Sequence, residues 1–159
     1  MKAHGRSLRI YVDTSVIGGC LDEEFSEDSK RLISAVLNKK VVMLLSEVVV
    51  EEIREAPSEV QEILDSIPIE NTEIVPLSAQ VRELRDAYLQ AGIVGKKSTD
   101  DATHVACASV ARADAIVSWN FKHIVRLDKM KAYNQVNFSH GYAILTIVSP
   151  REVQFSEAD

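Results

Sequence analysis

Cysteine, proline, glycine and tryptophan are all scarce in this sequence of 159 residues, which contains two, four, six and one of them respectively. The two cysteines, Cys20 and Cys107, belong to no paired metal-binding motif, so we infer neither a disulfide nor a zinc site. Cys107 lies in a helical stretch of small apolar residues, which favours a buried structural role. No glycine-rich loop of the Walker or dinucleotide-binding type is present.

Long apolar runs are also missing, because no window approaches the ~18 uninterrupted apolar residues of a membrane span. The N-terminus has no signal-peptide core, so we expect a cytoplasmic protein with no membrane segment. The length suits one domain, which we expect to cover residues 1–159, and 46% apolar with 26% charged residues is a globular composition. The net charge of −6 argues against broad electrostatic wrapping of nucleic acid, but it does not exclude a nuclease, whose site contributes its own carboxylates.

Apolar strand-like runs alternate with longer helical stretches, which predicts an α/β fold with parallel strands and helices on both faces. The predicted strands cover residues 8–13, 41–45, 73–76, 115–118 and 143–148. The predicted helices cover residues 28–38, 99–112 and 128–140, with others beginning after Ser46, at Pro57 and after Ser78. Ser98 is expected to cap the helix over 99–112.

Four side chains that carry oxygen atoms lie in or beside these predicted elements: Asp13, Glu52, Asp101 and Asn120. Asp13 and Asn120 end apolar strands, Asp101 opens a helix, and Glu52 lies on a helix that follows the second strand. In an open α/β sheet, ligands bind at the carboxyl ends of the strands, so these residues can converge there. A cluster of oxygen ligands suits a hard divalent cation such as Mg²⁺ or Mn²⁺.

Each of these acids also has an ordinary structural interpretation. Asp13 could simply cap the turn that follows its strand. Glu51 and Glu52 point about 100° apart on a helix, so only one of them can face the crevice; we favour Glu52, although both could be surface acids. Asp100 and Asp101 pose the same choice at a helix start, where acids also stabilise the helix dipole; the small residues behind Asp101 favour it as the inward one.

Neighbouring residues add further possibilities. The hydroxyls of Thr14 and Ser15 could hold a carboxylate rotamer or contact a metal-bound water. His104 could orient a carboxylate or water, or it could be a packed or capping histidine. Trp119 could stack an unpaired base, although packing under a loop is the favoured interpretation. Basic residues that could contact nucleic acid, or form an ordinary solvated face, are Lys96, Lys97, Lys122, His123 and Arg126.

The order and spacing of these motifs resemble the PIN-domain ribonuclease family, specifically the VapC-like toxin branch of type II toxin–antitoxin pairs. The residues that carry the resemblance are Tyr11-Val-Asp-Thr-Ser-Val, Ser46-Glu-Val-Val-Val-Glu-Glu-Ile, Asp101-Ala-Thr-His-Val-Ala-Cys-Ala, Ile116-Val-Ser-Trp-Asn-Phe-Lys-His-Ile, Val136-Asn-Phe-Ser-His-Gly-Tyr and Ser149-Pro-Arg-Glu-Val. The likeness spans residues 8–153, and each motif alone is short and unspecific.

The resemblance implies a three-layer α/β/α sandwich with a mainly parallel central sheet, and metal-dependent hydrolysis of RNA phosphodiester bonds. It places the family's three acids on Asp13, Glu52 and Asp101, as ligands of Mg²⁺ or Mn²⁺. The family's fourth position is usually an Asp in a Thr-x-Asp pattern, whereas this chain has Asn120 after Ser118 and Trp119. The amide could still bind the metal directly or through water, but the lost charge lowers the expected affinity for a second ion. A cognate antitoxin and a homodimer are the partners that the resemblance implies.

Other protein families also place acids at the ends of their strands. A phosphatase of the haloacid dehalogenase type needs a second Asp two positions after the first, where this chain has Ser15. Response-regulator receivers need paired acids early in the chain and a Lys near the last strands, and that pattern is not visible here. The main alternative is a PIN-like module that binds RNA or protein but is catalytically weak or inactive, for which Asn120 is the chief support.

Overall fold

A computed structural model describes residues 7–155, so the expected domain limits at residues 1 and 159 lie outside the described residues. The described residues form five strands: β1 (Leu8–Val12), β2 (Val41–Ser46), β3 (Thr72–Val75), β4 (Ala115–Val117) and β5 (Thr146–Val148). They also form seven α-helices: α1 (Thr14–Gly19), α2 (Ser26–Leu37), α3 (Glu47–Arg54), α4 (Ser58–Asp65), α5 (Ala79–Gln90), α6 (Thr99–Val110) and α7 (Leu127–Ser139).

The five strands form one sheet in the order β3-β2-β1-β4-β5, and every neighbouring pair is parallel. The chain therefore builds one half of the sheet from β1 outwards to β3 and then places β4 and β5 on the other side of β1. The strand order reverses between β1 and β4, and an open α/β sheet has its ligand crevice at such a point, outside the carboxyl ends of the strands. Asp13 directly follows β1 at this edge.

Two apolar cores lie on opposite faces of the sheet, because successive side chains of a strand point to opposite sides. Ile10 and Val12 of β1 pack in a core with residues of α1 to α4, whereas Tyr11 packs in a second core with residues of α5, α6 and α7. This arrangement confirms the predicted three-layer α/β/α sandwich.

Cys20 and Cys107 are both buried and free, and burial raises the pKa of the Cys107 thiol to about 11.

The predicted elements are present, with differences at helix α1 and strand β5. Helix α1 was not predicted, because Gly18 and Gly19 have a low helix propensity. The helix forms nevertheless, since the burial of Val16 and Ile17 against the sheet outweighs the propensity of the two glycines. Strand β5 is shorter than predicted, and only its residues from Thr146 onwards pair with β4.

Helix capping follows the prediction at two serines and differs at a third. The side chains of Ser46 and Ser78 accept hydrogen bonds from Val48 N and Val81 N, as expected for N-caps. Ser98 precedes α6 but its side chain makes no capping hydrogen bond.

Across residues 7–155, no helix has the length and apolar character required to cross a membrane.

Candidate active site

Asp13 lies at the carboxyl end of β1 and is only 4% exposed. Its Oδ1 accepts a hydrogen bond from Ser15 Oγ at 2.6 Å, and its Oδ2 accepts one from Ser118 Oγ, at the end of β4, at 2.7 Å. Burial raises the pKa of the Asp13 carboxyl above its ordinary value, although the charge of His104 and these two hydrogen bonds act in the opposite direction. Ser15 therefore holds Asp13 as predicted, and Ser118 is a second holding residue that the sequence did not reveal.

Glu52 turns toward this end of the sheet, whereas its neighbour Glu51 is exposed and pairs with Arg54 at 2.6 Å. The Glu52 carboxylate accepts a hydrogen bond from Thr14 Oγ1, and its Oε1 lies 3.3 Å from His104 Nε2. Burial acts to raise the pKa of Glu52, but the hydrogen bonds from His104 and Thr14 outweigh it and leave the pKa below its ordinary value. Glu52 is therefore held as an anion by partners within the chain.

His104 lies one turn into α6, is 2% exposed, and connects Glu52 to the core. Its Nδ1 is 2.8 Å from the hydroxyl of Tyr11, which is also 2.8 Å from Ser46 Oγ. Burial lowers the pKa of His104, but the hydrogen bond to Glu52 and the nearby acids outweigh burial and leave it raised. Both roles considered for His104 are thus combined, because it is packed in the core and it also orients a carboxylate.

Asp101 opens α6 and is half-buried, whereas Asp100 beside it is exposed. Burial raises the pKa of the Asp101 carboxyl; the charges of Asp13 and Glu52 raise it further, against the opposing charges of His123 and His104. Its Oδ1 accepts a hydrogen bond from Asn120 Nδ2 at 3.0 Å. The structure therefore brings Asp101 and Asn120 together.

The side-chain oxygen of Asn120 faces away from this contact. Asn120 Oδ1 accepts hydrogen bonds from the backbone N–H groups of Lys122, at 3.1 Å, and His123, at 2.8 Å. The atom that the sequence offered as a metal ligand is thus occupied by the turn that follows β4, and this orientation favours an indirect role for Asn120.

The three carboxylates of Asp13, Glu52 and Asp101 lie close enough for electrostatic influence, since the charge of Glu52 raises the pKa of Asp13, and the charges of Asp13 and Glu52 both raise the pKa of Asp101. Among residues 7–155, however, no three Asp, Glu, His or Cys side chains form a group that could hold a metal ion between them. Mg²⁺ typically binds proteins through only one or two carboxylates and keeps several waters. The donor chemistry of Asp13 and Asp101 fits an ion held in that way, because a cation would relieve their burial and mutual repulsion.

Trp119 packs beside the site and is 5% exposed, in agreement with the favoured structural interpretation. Its ring stacks on Phe25 with centroids 4.1 Å apart, and its Nε1 donates to Ser29 Oγ at 2.7 Å. Its backbone N–H donates to Ser15 Oγ at 2.9 Å, and Ser15 in turn holds Asp13. A buried Trp119 is therefore part of the support of the site.

The basic residues considered as contacts for nucleic acid differ in their charged partners and in their exposure. His123 acts on Asp101, lowering the pKa of that carboxyl, whereas Arg126 is paired with Asp128 at 2.7 Å. Lys96, Lys97 and Lys122 are exposed.

The fold agrees with comparison against known protein families. The family model described as the PIN domain matches residues 9–122. The chain belongs to the PIN domain family. No curated protein matches its sequence.

Solved structures with the same fold include proteins from Rickettsia felis and Neisseria gonorrhoeae. The PIN domain chain shares 18% identity and a TM-score of 0.54 with a chain of VapBC2 from Rickettsia felis bound to a DNA fragment from their promoter, covering 89% of this chain and 98% of that one. It shares 14% identity and a TM-score of 0.58 with a chain of FitAcB from Neisseria gonorrhoeae, covering 91% and 99%. A structure of FitAB bound to an IR36 DNA fragment gives 14% identity and a TM-score of 0.58, with 93% and 99% covered.

Proposed function

We propose that this PIN domain is a divalent-metal-dependent ribonuclease and the toxin of a toxin–antitoxin pair. One observation carries the proposal: three acids that are far apart in sequence lie near the crevice where the strand order reverses. Asp13 follows β1, Glu52 accepts a hydrogen bond from Thr14 beside it, and Asp101 accepts one from Asn120 after β4. Like charges are costly to place together, so their assembly in a partly buried site indicates a cationic ligand or a catalytic role.

The carboxylates have different roles in this proposal. Asp13 and Asp101 would hold Mg²⁺ or Mn²⁺, because both have a raised pKa and would gain most from a cation. Glu52 is held in place by His104 and Thr14, and it would bind or position a metal-bound water. When bound, the cation lowers the pKa of water and stabilises charge on the phosphate oxygens of the transition state. Ser15 and Ser118 keep the Asp13 carboxylate in one rotamer.

An antitoxin is the proposed partner. The structural neighbours include the VapBC2 and FitAB complexes, and the sequence resemblance independently indicates the VapC-like branch. The sequence also implies RNA as the substrate, a homodimer and a cytoplasmic location. These three stay predictions.

A catalytically weak or inactive PIN module is the second candidate, and the orientation of Asn120 favours it. Where an acid would extend the carboxylate cluster, this chain has an amide whose oxygen is bound by backbone N–H groups. An inactive module would still fold and bind a partner, but it would not cleave RNA.

Cleavage of a mixed pool of structured and single-stranded RNAs separates the two candidates. The full chain is incubated with Mn²⁺, Mg²⁺ or EDTA beside Asp13→Ala, with single-stranded DNA of matched sequence as a second substrate. The ribonuclease proposal predicts cuts in RNA that need a metal and fall by at least ~100-fold in the variant. Absence of cleavage with either metal, for a chain shown to be folded and freed of antitoxin, would favour the inactive module.

A further inference from the structure

The side chain of Asn120 is fixed in one orientation by the backbone around it. Its Oδ1 accepts from the N–H groups of Lys122 and His123, and a backbone N–H can only donate, so the accepting atom must be the oxygen. The backbone carbonyl of Asn120 also accepts from the N–H groups of Ile124 and Val125, at 3.1 and 2.8 Å. The amide nitrogen is therefore the end of the side chain that faces the carboxylates.

That nitrogen donates to Asp101 Oδ1 at 3.0 Å. An amide NH₂ has two donors and no lone pair for a cation, so it cannot be a metal ligand. Turning the amide by 180° would point the NH₂ at two backbone N–H donors and leave these donors without an acceptor, which is unfavourable.

The residue is also joined to the other side of the site. Its backbone N–H donates to Ser118 Oγ at 2.9 Å, and Ser118 Oγ donates to Asp13 Oδ2 at 2.7 Å. A single residue thus contacts Asp101 through its side chain and, through Ser118, the carboxylate of Asp13.

We propose that Asn120 is a positioning residue and not a metal ligand. Its amide nitrogen donates a hydrogen bond to the Asp101 carboxylate at the place where a second cation would otherwise be needed. The site therefore takes one divalent ion. This inference rests on the proposed function, because it assumes that Asp13 and Asp101 bind the ion. An Asp at position 120 would keep the two backbone contacts through one oxygen and place its other oxygen against Asp101. Two carboxylates would then face each other at hydrogen-bond distance, and they would need a cation between them.

The test compares wild type, Asn120→Asp and Asn120→Ala by thermal unfolding in EDTA and by titration with Mn²⁺, followed by calorimetry and electron paramagnetic resonance. In EDTA, Asn120→Asp should melt several degrees below wild type, and saturating Mn²⁺ should raise its Tm by more than that of wild type. Wild type should bind one Mn²⁺ per chain, and Asn120→Asp should bind a second ion or bind the first at least ~10-fold more tightly. Asn120→Ala should melt at a lower temperature and yet keep its Mn²⁺ affinity within ~5-fold.

Asn38→Asp is the matched control, because Asn38 is exposed at the end of α2 and the substitution adds the same charge. It should change neither the number of ions nor the affinity. A loss of Mn²⁺ affinity of ~100-fold or more in Asn120→Ala would mean that Asn120 is a ligand, and the inference would be wrong. Identical melting and Mn²⁺ binding in wild type and Asn120→Asp would also overturn it.

The same titration separates this inference from the proposed function. Mn²⁺ binding with the expected Asn120→Asp change, but without RNA cleavage, would support the role of Asn120 and reject the ribonuclease. Binding of Mn²⁺ by Asn120→Asp alone would overturn both proposals, because the wild-type site would then hold no ion. Failure of both proteins to bind Mn²⁺ would overturn both proposals.

Discussion

The hydroxyl of Tyr11 lies 2.8 Å from His104 Nδ1, in the core directly below the candidate site. This contact joins the central strand β1 to α6, and His104 Nε2 continues it to Glu52 Oε1 at 3.3 Å. Ser46 Oγ, 2.8 Å from the same hydroxyl, fixes the other end. The position of the Glu52 carboxylate is therefore determined by buried residues on β1, β2 and α6.

Tyr11→Phe should weaken both the fold and the site. Removal of the hydroxyl leaves His104 Nδ1 buried without that partner, which should lower the free energy of unfolding by about 1–3 kcal/mol. Because His104 then holds Glu52 less firmly, we expect kcat for RNA cleavage to fall by roughly 10-fold with little change in KM. Urea unfolding and steady-state kinetics measure the two effects.

Tyr88→Phe is the matched control for this prediction. Tyr88 is equally buried, and its hydroxyl donates to Asn137 on the α5–α7 side of the molecule. It should lose similar stability and keep its cleavage rate. Equal losses of kcat in the two variants would show that Tyr11 acts only through stability.

Glu52→Gln should reduce cleavage by about 100-fold, whereas Glu51→Gln should leave it unchanged. The two residues are neighbours on α3, but only Glu52 contacts His104 and Thr14, while Glu51 pairs with the exposed Arg54. Initial rates at saturating Mn²⁺ measure the effect. Equal activity of the two variants would remove Glu52 from the site.

Asp13→Asn should stabilise the metal-free protein at neutral pH. The folded state raises the pKa of Asp13 by burial, so its contribution to stability is fully present below the unfolded pKa of about 3.9 and is lost as pH rises through the folded pKa. The variant cannot ionise, so its Tm in EDTA should exceed that of wild type at pH 7.5, and the difference should shrink toward pH 3.

Asp22→Asn is the control, because Asp22 is exposed and Asn can keep its hydrogen bond from Glu24 N. Its Tm should follow that of wild type across this pH range. If Asp13→Asn proves less stable than wild type at pH 7.5, the hydrogen bonds of Asp13 matter more than the burial of its charge.

Gly19→Ala should destabilise the support of the site. A Cβ at this position would lie 2.6 Å from Ser29 Oγ and 2.9 Å from Trp119 Nε1, so it would break the hydrogen bond between these atoms. We expect a loss of about 1–3 kcal/mol in the free energy of unfolding, followed by the fluorescence of the single tryptophan. Gly18→Ala is the control: a Cβ there meets nothing within 4 Å, and Ala favours the helix by about 0.5–1 kcal/mol.

The sequence predicted the strands and most helices because their apolar periodicity is strong. It also favoured Glu52 over Glu51 and Asp101 over Asp100, which agrees with the direction in which each side chain points in the structure. Helix α1 escaped prediction because its two glycines carry no local helical signal, and its formation depends on burial against the sheet.

The contacts that organise the site could not be predicted in the same way. The orientation of the Asn120 amide depends on backbone N–H groups of the turn that follows it, and the pairing of Tyr11 with His104 joins residues 93 positions apart. Ser118 could have been recognised only once β1 and β4 were known to be neighbours. Such contacts are tertiary, and residue patterns along one chain do not encode them directly.

Comparison of Asp101→Ala with Asp100→Ala tests the central claim most directly. The two acids are adjacent at the start of α6, so both variants remove one charge from the same helix turn. Asp100 is exposed and interacts with Glu52, whereas only Asp101 accepts a hydrogen bond from Asn120 and is influenced by the charges of both Asp13 and Glu52. With RNA and saturating Mn²⁺, we expect Asp101→Ala to lose at least ~100-fold in cleavage rate and Asp100→Ala to remain within a few-fold of wild type. Unchanged cleavage by a folded Asp101→Ala protein would contradict the assignment of this carboxylate cluster as the catalytic site.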